Sequence, residues 1–549
     1  MKLKAFNLLM LAMALTSVTA LAQKIVESVQ PLTKEARKGY ISDVKFDADG
    51  KIHVVYQMKI GKKDDDIKYE DFVFGKDLKF LEEVPTSVPK ETKPDKEIKK
   101  LGARVGACSS FDILSMKIRL VMQKMRLSDW NYKRQRYDSR KVIESETIKL
   151  KDEGGKAYRG VEDYWNEEED KLTMIAYTET KDKTNPKQYT LLSADFDGNL
   201  TEKKLDINGA YSLVYSQAIS EEQNGKAVGK DDFIVIFAPK PGAANLAEYV
   251  YLHYDIKGNL KNKIVFQSPS TNLLIHNATV IDGSVYLFGQ STNEKLAYGK
   301  VFEDYAPMEN PCYNSPNGAE NYQMDKYLKN ANEEMDNFHI LKITGGKLDF
   351  ATTSAIKDLK SKMKTPPSDK GATAYKGKKF SIAKFEVTPN NEFLIAGQLL
   401  SRVNIGNLKN PVFVPAYGDI VCLHLDAQGN LKAQYAVDRV FETKKSKIYE
   451  MPQSFYFTAD GKSVYWEILE VKGEKDAWTG FPNNFELYPR IAKINLTEAS
   501  VSDFKVFGNK KFFVYKSFPS YYLPNEGAMV YFGKDDDEDN LWVGKAVFE

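Results

Sequence analysis

Cysteine, histidine and tryptophan are scarce in this chain of 549 residues, which contains three Cys, five His and five Trp. The thiols of Cys108, Cys312 and Cys422 are far apart and odd in number, so at most one disulfide can form within the chain. Whether two of them pair stays open. No CxxC pair is present, which removes the local signature of a zinc knuckle or a thioredoxin-like redox site. We therefore predict neither a metal nor a cofactor.

Local catalytic motifs are also missing. The sequence has no GxSxG, no HExxH and no GxxxxGK[ST], the short signatures of a hydrolase nucleophile, a zinc protease helix and a phosphate loop. A catalytic site assembled from distant segments would leave no such signature. The absences nevertheless favour a binding protein over an enzyme.

Long apolar runs are absent after the N-terminus, so we predict no membrane span. Lys2 and Lys4 precede an apolar run at 8–15, and small residues follow, a pattern typical of a signal peptide covering residues 1–22. Cleavage after Ala22 would expose Gln23, which cannot carry the lipid of a lipoprotein. We expect export to the periplasm or beyond.

Neither sign of charge is in excess. Removal of the two N-terminal lysines leaves 76 basic against 76 acidic side chains. Nucleic acids and anionic membranes select strongly basic surfaces, so this balance argues against both as global partners.

A repeated hairpin is the clearest positive feature. Each copy ends a β-strand in a tight turn with a glycine where the chain needs a left-handed conformation. The copies are LLSADFDGNL from Leu191, YLHYDIKGNL from Tyr251, CLHLDAQGNL from Cys422 and, less completely, DVKFDADGKI from Asp43. Weaker copies and a preceding strand pair define a unit of four strands, which can bury its two apolar faces only by stacking against neighbours.

These units predict an all-β fold, a β-propeller of eight four-stranded blades in one domain over residues 23–549. The C-terminal unit lacks its fourth strand, and pairing of residues 24–32 with 541–548 would complete it and close the ring. Seven blades is the alternative, because the unit at 102–150 has a poorly marked first hairpin. In its export signal, DxxGN turns and closure, the chain resembles secreted bacterial β-propeller proteins of no characterised subfamily.

Connections on the two faces of such a propeller differ in length. The short glycine turns fall on one face, and the long segments fall mostly on the other. The long segments are 84–102, an insertion at 292–336, a lysine-rich link at 357–379, 401–417, 439–450 and 471–485. Long loops on a rigid scaffold usually carry function. The lysine-rich link could hold an anionic partner, but its charge and Pro366 and Pro367 favour a flexible, solvated link.

Aromatic residues on these loops are the candidate binding residues, because flat rings stack on sugars and anchor protein partners. They are Trp478, Phe481, Tyr417, Phe413 and Tyr313. His253 and His424 share one repeat position, which favours a structural role, whereas His276 and His339 are weak candidates for ligands. The acidic run at 535–539 is interpreted as a solvated hairpin and not as a calcium site, since it lacks the spacing of an EF-hand.

Three function classes stay open. A non-enzymatic scaffold of the bacterial cell envelope, binding a protein, peptide or glycan through the long loops, comes first. An envelope carbohydrate-acting enzyme with two channel carboxylates is the alternative. A purely structural propeller in a larger assembly is third.

Overall fold

The computed structural model shows an all-β chain. It describes residues 24–59, 66–89, 98–105, 119–131, 136–156, 158–166, 171–181, 187–205, 207, 211–223, 226–240, 242–292, 335–369, 371–377, 380–404, 413–440, 444–474, 485–508, 511–514, 520–535, 537 and 539–547. Helical structure in this part of the chain consists of short turns at Ala36–Lys38, Ile356–Asp358, Lys360–Lys362, Lys444–Lys447 and Pro524–Glu526. Within the described residues, no helix is long and apolar enough to cross a membrane.

The strands form successive antiparallel sheets in chain order. The first strand, β1 (Lys24–Pro31), belongs to the last sheet. Sheet I has β2 (Tyr40–Phe46), β3 (Ile52–Gln57), β4 (Asp66–Phe74) and β5 (Phe80–Pro89). Sheet II has three described strands, β6 (Ile98–Val105), β7 (Arg119–Asn131) and β8 (Arg136–Lys149). Sheet III has β9 (Arg159–Asn166), β10 (Lys171–Glu179), β11 (Lys187–Asp195) and β12 (Leu200–Lys204).

The next three sheets repeat this plan. Sheet IV has β13 (Tyr211–Gln223), β14 (Lys226–Pro239), β15 (Glu248–Asp255) and β16 (Leu260–Gln267). Sheet V has β17 (Leu274–Ile281), β18 (Ser284–Ser291), β19 (Asn337–Thr344) and β20 (Lys347–Ala355), and one parallel pairing of Glu221 with Val280 links its β17 to β13 of sheet IV. Sheet VI gains β21 (Met363–Lys364) beside β22 (Phe380–Val387), β23 (Phe393–Asn404), β24 (Phe413–Leu425) and β25 (Leu431–Val437).

Two linked sheets complete the array. Sheet VII has β26 (Gln453–Phe457), β27 (Ser463–Glu474), β28 (Phe485–Asn495) and an outer strand in two pieces, β29 (Ser500–Val501) and β30 (Lys505–Val506). A short strand, β31 (Phe512–Val514), connects it to sheet VIII, which has β32 (Ser520–Leu523), β33 (Ala528–Asp535), β34 (Asn540–Val547) and β1.

The hydrophobic core lies between neighbouring sheets. One cluster joins sheets IV, V and VI, a second joins VI, VII and VIII, and others join III to IV and II to III. Strand β18, for example, is buried along its whole length. Its apolar side chains therefore need a neighbouring sheet against each face of their own sheet. Stacked four-stranded antiparallel sheets of this kind form a β-propeller. The predicted all-β class is confirmed.

The first and the last described strands meet in sheet VIII. Strand β1 pairs antiparallel with β34 from Lys24 opposite Val547 to Pro31 opposite Asn540. Sheet VIII then packs on sheet I, where Val530 and Val543 share a cluster with Val54. The predicted pairing of the N-terminal strand is therefore present. The count of eight blades stays a prediction, because sheet II has only three described strands.

Asparagine and aspartate side chains hold the repeated turns. Asp255 Oδ1 accepts the backbone N–H of Asn259 at 2.8 Å, while Asn259 Nδ2 donates to Asp255 Oδ2 at 2.9 Å. Equivalent bonds join Asp426 to Asn430, and Gly258 between the first pair has a φ of +80°. Asp535 does the same in the acidic run, accepting the N–H of Asp539 at 2.9 Å. The DxxGN pattern is turn chemistry, as predicted.

Several predicted loops are shorter than expected, because the strands continue into them. Residues 84–89 belong to β5, 401–404 to β23, 413–417 to β24 and 471–474 to β27, and a helical turn interrupts 439–450. Long hairpin arms of this kind keep pairing backbone groups beyond the core, which satisfies their hydrogen bonds. Strands β18 and β19 bracket the predicted insertion at 292–336, of which 293–334 lie outside the described residues.

The lysine-rich link is packed, contrary to the prediction of a flexible, solvated segment. Its described part, here called the strap (residues 356–377 without 370), adds β21 parallel to β25 on the edge of sheet VI. Ser368 donates from its N–H and its hydroxyl to Asp503 Oδ1 of sheet VII, each at 2.7 Å. Tyr375 is buried and accepts a 2.6 Å hydrogen bond from Gln290 of sheet V. The strap thus braces three sheets, because apolar anchors outweigh its charge.

Candidate functional site

Two of the five predicted binding residues lie in the described part of the chain. Phe413 and Tyr417 were expected on a loop, but both belong to β24, where they pair with Asn404 and Leu400 of β23. Tyr417 is half-buried, and its carbonyl accepts a hydrogen bond from the Arg439 guanidinium. Extended strand pairing, which the loop-like composition concealed, explains the difference. The other three candidates, Trp478, Phe481 and Tyr313, lie outside the described residues.

The repeated histidines form equivalent contacts in two sheets. His253 Nε2 lies 2.8 Å from Asp232 Oδ2 of the neighbouring strand, and Lys261 pairs with the same carboxylate at 2.5 Å. His424 Nε2 lies 2.6 Å from Glu392 Oε2. Burial lowers the pKa of both imidazoles below the ordinary value, against the opposing effect of the adjacent acids. Their repetition supports the predicted structural role.

His339 has both ring nitrogens occupied. Its Nε2 lies 2.7 Å from Ser291 Oγ and its Nδ1 lies 3.0 Å from Thr353 Oγ1. Burial lowers the pKa of His339 to about 4, so the ring is neutral near pH 7. These contacts fix the imidazole as part of the core of sheet V.

A buried acid that belongs to no recognised sequence motif lies at the seam between sheets VII and VIII. Glu467 is on β27, opposite Ser454 of β26, and is 2% exposed. Tyr456 OH donates a 3.2 Å hydrogen bond to Glu467 Oε2. The strand reads SVYWEILEV, and acids within such an apolar strand are the signal that could have found it.

The environment of Glu467 favours its protonated form. Burial raises the pKa of Glu467 to about 7, although the hydroxyls of Tyr531 and Tyr456 act in the opposite direction. Tyr531, on β33, is buried beside this carboxyl, and its burial together with the neighbouring acid raises the pKa of the phenol. Near neutral pH the carboxyl can therefore donate or accept a hydrogen bond.

Partly exposed polar residues lie next to this acid on the first strands of sheets VII and VIII. Ser454, Tyr456, Ser520 and Tyr522 are half-buried, and the rings of Tyr456 and Tyr522 lie 5.0 Å apart. These side chains lie on β26 and β32, and Glu467 lies on the adjacent strand β27. We call these four residues, together with Glu467 and Tyr531, the seam cluster.

A second acid of β27 is neutralised by a cation. Glu470 Oε1 lies 2.5 Å from Arg490 Nη2, and the two side chains are 2% and 6% exposed. The same Nη2 donates to the Asp438 carbonyl at 2.8 Å, and Val440 N–H donates to Glu470 Oε1 at 3.2 Å. This ion pair secures the connection between sheets VI and VII.

The two acids do not form a catalytic pair. Glu470 is three residues beyond Glu467, so the side-chain alternation of a strand directs them to opposite faces of sheet VII. The described groups that act on the pKa of Glu467 are tyrosines, and no described carboxylate is among them. Glycoside hydrolysis of the usual kind needs two carboxyl groups that face one bond. The geometry of the seam cluster fits hydrogen bonding better than hydrolysis.

Comparisons with known proteins show no relative by sequence. No family model matches the chain, and no curated protein matches it. A solved structure of a puromycin hydrolase mutant complexed with PGG has 9% identity and a TM-score of 0.26, covering 85% of this chain and 57% of its own. This chain therefore spans little more than half the length of that hydrolase.

Two other solved structures are similarly distant. A member of the DUF4221 family from Bacteroides vulgatus has 10% identity and a TM-score of 0.23, covering 83% of this chain and 99% of its own. Cobalt-substituted Synechocystis ACO has 12% identity and a TM-score of 0.29, covering 80% of this chain and 85% of its own. Since these scores are below 0.5, the architecture rests on the strand pairing within the chain itself.

Proposed function

We propose that this chain is an exported, non-enzymatic scaffold of the bacterial cell envelope, an eight-bladed propeller that binds a protein, peptide or glycan through its long loops. Removal of residues 1–22 would release it as a single domain without a lipid anchor. The supporting observation is the unequal length of the connections on its two faces.

Connections within the hairpins are short. The turns between first and second strands, or between third and fourth strands, include 47–51, 224–225, 282–283 and 426–430. The other connections form what we call the long-loop face, and they include 292–336, 356–379, 438–452 and 475–484. Elaborated loops on a rigid scaffold are the usual location of binding residues, and Trp478 and Phe481 fall within 475–484.

Capture from solubilised cell envelope tests this function. The mature chain would be compared with a Trp478→Ala/Phe481→Ala variant, and bound proteins, peptides and glycans would be identified by mass spectrometry. Leu81→Ala/Leu260→Ala is the matched control, because these exposed side chains lie beside short turns on the opposite face. We expect partners that the loop variant loses and the control keeps.

The opposite result would reject loop-face binding. If both variants capture the same partners as the parent chain, the aromatic loop residues do not bind them. If purified chain cleaves envelope glycans, and Glu467→Gln abolishes the cleavage, the alternative of a carbohydrate-acting enzyme replaces the proposal.

A further inference from the structure

Strand β1 is joined to its sheet by pairing alone. The other strands of sheet VIII follow one another along the chain from Ser520 to Val547, whereas the chain that leaves β1 runs through residues 32–39 into β2 of sheet I. In each of the other sheets, the described strands are consecutive in the sequence. Strand β1 can therefore leave its sheet without moving any other strand.

The side chains of β1 anchor it weakly. None of those that the structure describes is fully buried, and Glu27 and Val29 are exposed. Ile25 and Val26 are half-buried and pack at the margins of two core clusters. The facing strand β34, by contrast, is buried from Leu541 to Ala546. The attachment of β1 therefore rests mainly on its backbone pairing with β34.

Burial changes abruptly where β1 ends. Pro31 is exposed, whereas the next residue, Leu32, is buried in the cluster shared by sheets VIII and I. Thr33 Oγ1 then donates a 2.7 Å hydrogen bond to Glu70 Oε2 of sheet I. Residues 32–39 are thus fixed to sheet I without β1. Pro31, whose nitrogen cannot donate a backbone hydrogen bond, is the natural hinge.

We propose that β1 is exchanged between two copies of this chain, so that β1 of each copy pairs with β34 of the other. A second copy fits the vacated edge of β34 because its own β1 reproduces both the register of the pairing and the bond from Gly508 to Glu27. Reciprocal exchange uses the same surface on both copies, so it closes as a two-fold dimer. This interaction goes beyond the proposed loop-face function and does not depend on it.

Chain concentration decides between the closed monomer and the exchanged dimer. Both forms contain the same contacts between β1 and β34, so neither gains from that pairing. The monomer is favoured by the effective concentration of its own strand, which is about 1 mM for a short tether. Exchange is therefore expected when the chain itself reaches this concentration.

Size-exclusion chromatography with light scattering tests the exchange. The chain without residues 1–22 is incubated in urea below its unfolding midpoint and then returned to buffer. We expect about half of the chain in the dimer after incubation at about 1 mM, and almost none after incubation at about 10 µM. Two differently tagged chains that are mixed before the incubation should form mixed dimers.

A reversible lock shows whether β1 mediates the dimer. Lys24→Cys/Val547→Cys places one thiol on each strand at a facing pair. Cys108→Ser/Cys312→Ser in every chain leaves Cys422, which is buried, as the remaining native thiol. Oxidation of the dilute monomer joins β1 to its own β34, and we expect no dimer after the concentrated incubation. Reduction of the same chain should restore the dimer.

The rate of exchange supplies a second readout. Glu27→Ala removes the bond to Gly508 and should speed dimer formation about tenfold, the effect of one hydrogen bond to a charged group. Lys347→Gln, an exposed change in sheet V, is the control and should leave the rate unchanged.

Three results would overturn the exchange. They are a parent chain that stays monomeric at the higher concentration, a dimer that the oxidised lock also forms, and equal rates for Glu27→Ala and Lys347→Gln. A dimer of the oxidised lock would assign the association to another surface of the protein.

Discussion

The backbone N–H of Gly508 donates a 2.7 Å hydrogen bond to Glu27 Oε1, which ties the N-terminal strand to the connection between sheets VII and VIII. Glu27 lies in β1 opposite Gly544 of β34. The bond therefore reinforces the pairing of β1 with β34.

Removal of this carboxylate should weaken the closure. Glu27→Ala is expected to lower the free energy of unfolding by about 2 kcal/mol, the usual contribution of a partly buried hydrogen bond to a charged group. Urea denaturation measures the loss. Glu35→Ala, which removes an exposed acid paired with nearby Lys38, is the control. Equal effects of the two variants would show that β1 contributes little through Glu27.

Replacement of one partner of the buried Glu470–Arg490 ion pair should lower the free energy of unfolding. Either Glu470→Gln or Arg490→Met leaves a partner without its counter-charge, with an expected cost of about 3 kcal/mol or more. The double variant Glu470→Gln/Arg490→Met should cost less than the sum of the two. Denaturation of the four chains forms a double-mutant cycle, and strict additivity would contradict the coupling.

Neutral, buried His339 should make the protein less stable in acid. Because its pKa is about 4 in the folded chain and 6.5 ordinarily, the unfolded chain binds the proton more strongly. Stability contributed by this group is complete above pH 6.5 and falls by about 3 kcal/mol as the pH drops to 4.

The matching measurement is urea denaturation between pH 4 and pH 7.5. His339→Gln removes the share of the pH dependence that this residue supplies, so its curve should be flatter than that of the parent chain. Lys347→Gln, an exposed change in the same sheet, is the control. If the stability of the His339→Gln variant changes with pH as steeply as that of the parent chain, other groups cause the acid sensitivity.

A comparison of two glycines with the same positive φ separates the cost of backbone strain from the cost of steric crowding. Gly429 and Gly155 both have φ of +80°, but an added Cβ would lie 3.0 Å from Thr352 Cβ at Gly429 and within 4 Å of nothing at Gly155. Gly155→Ala should cost about 1 kcal/mol, and Gly429→Ala should cost more because sheet V abuts the turn. Thermal unfolding compares the stability of the two variants. Identical costs would show that Thr352 moves aside for the added Cβ without destabilising the fold.

Sequence patterns predicted the strands and turns well where the signal was local. The DxxGN turns, the hairpins around them and the pairing of β1 with β34 follow from glycine placement, alternation and an incomplete last unit. Loop boundaries were less predictable. Phe413 and Tyr417 looked like loop residues because their neighbours include Asn, Pro and Gly, yet hairpin pairing with Asn404 and Leu400 made them strand. The strap looked solvated because its lysines outnumber its buried apolar residues, which are Ile356, Leu359, Ala372 and Tyr375.

What the sequence alone determined is the all-β repeat, since strand alternation and left-handed turn positions depend on neighbours within a few residues. Tertiary structure decided the chemistry. It brought Glu467 beside Tyr531, 64 residues further along the chain, and removed both from water. It also paired Glu470 with Arg490 and buried His339. The protonation and pairing of these side chains depend on burial and on partner residues from other strands. Both arise only when one sheet packs against the next.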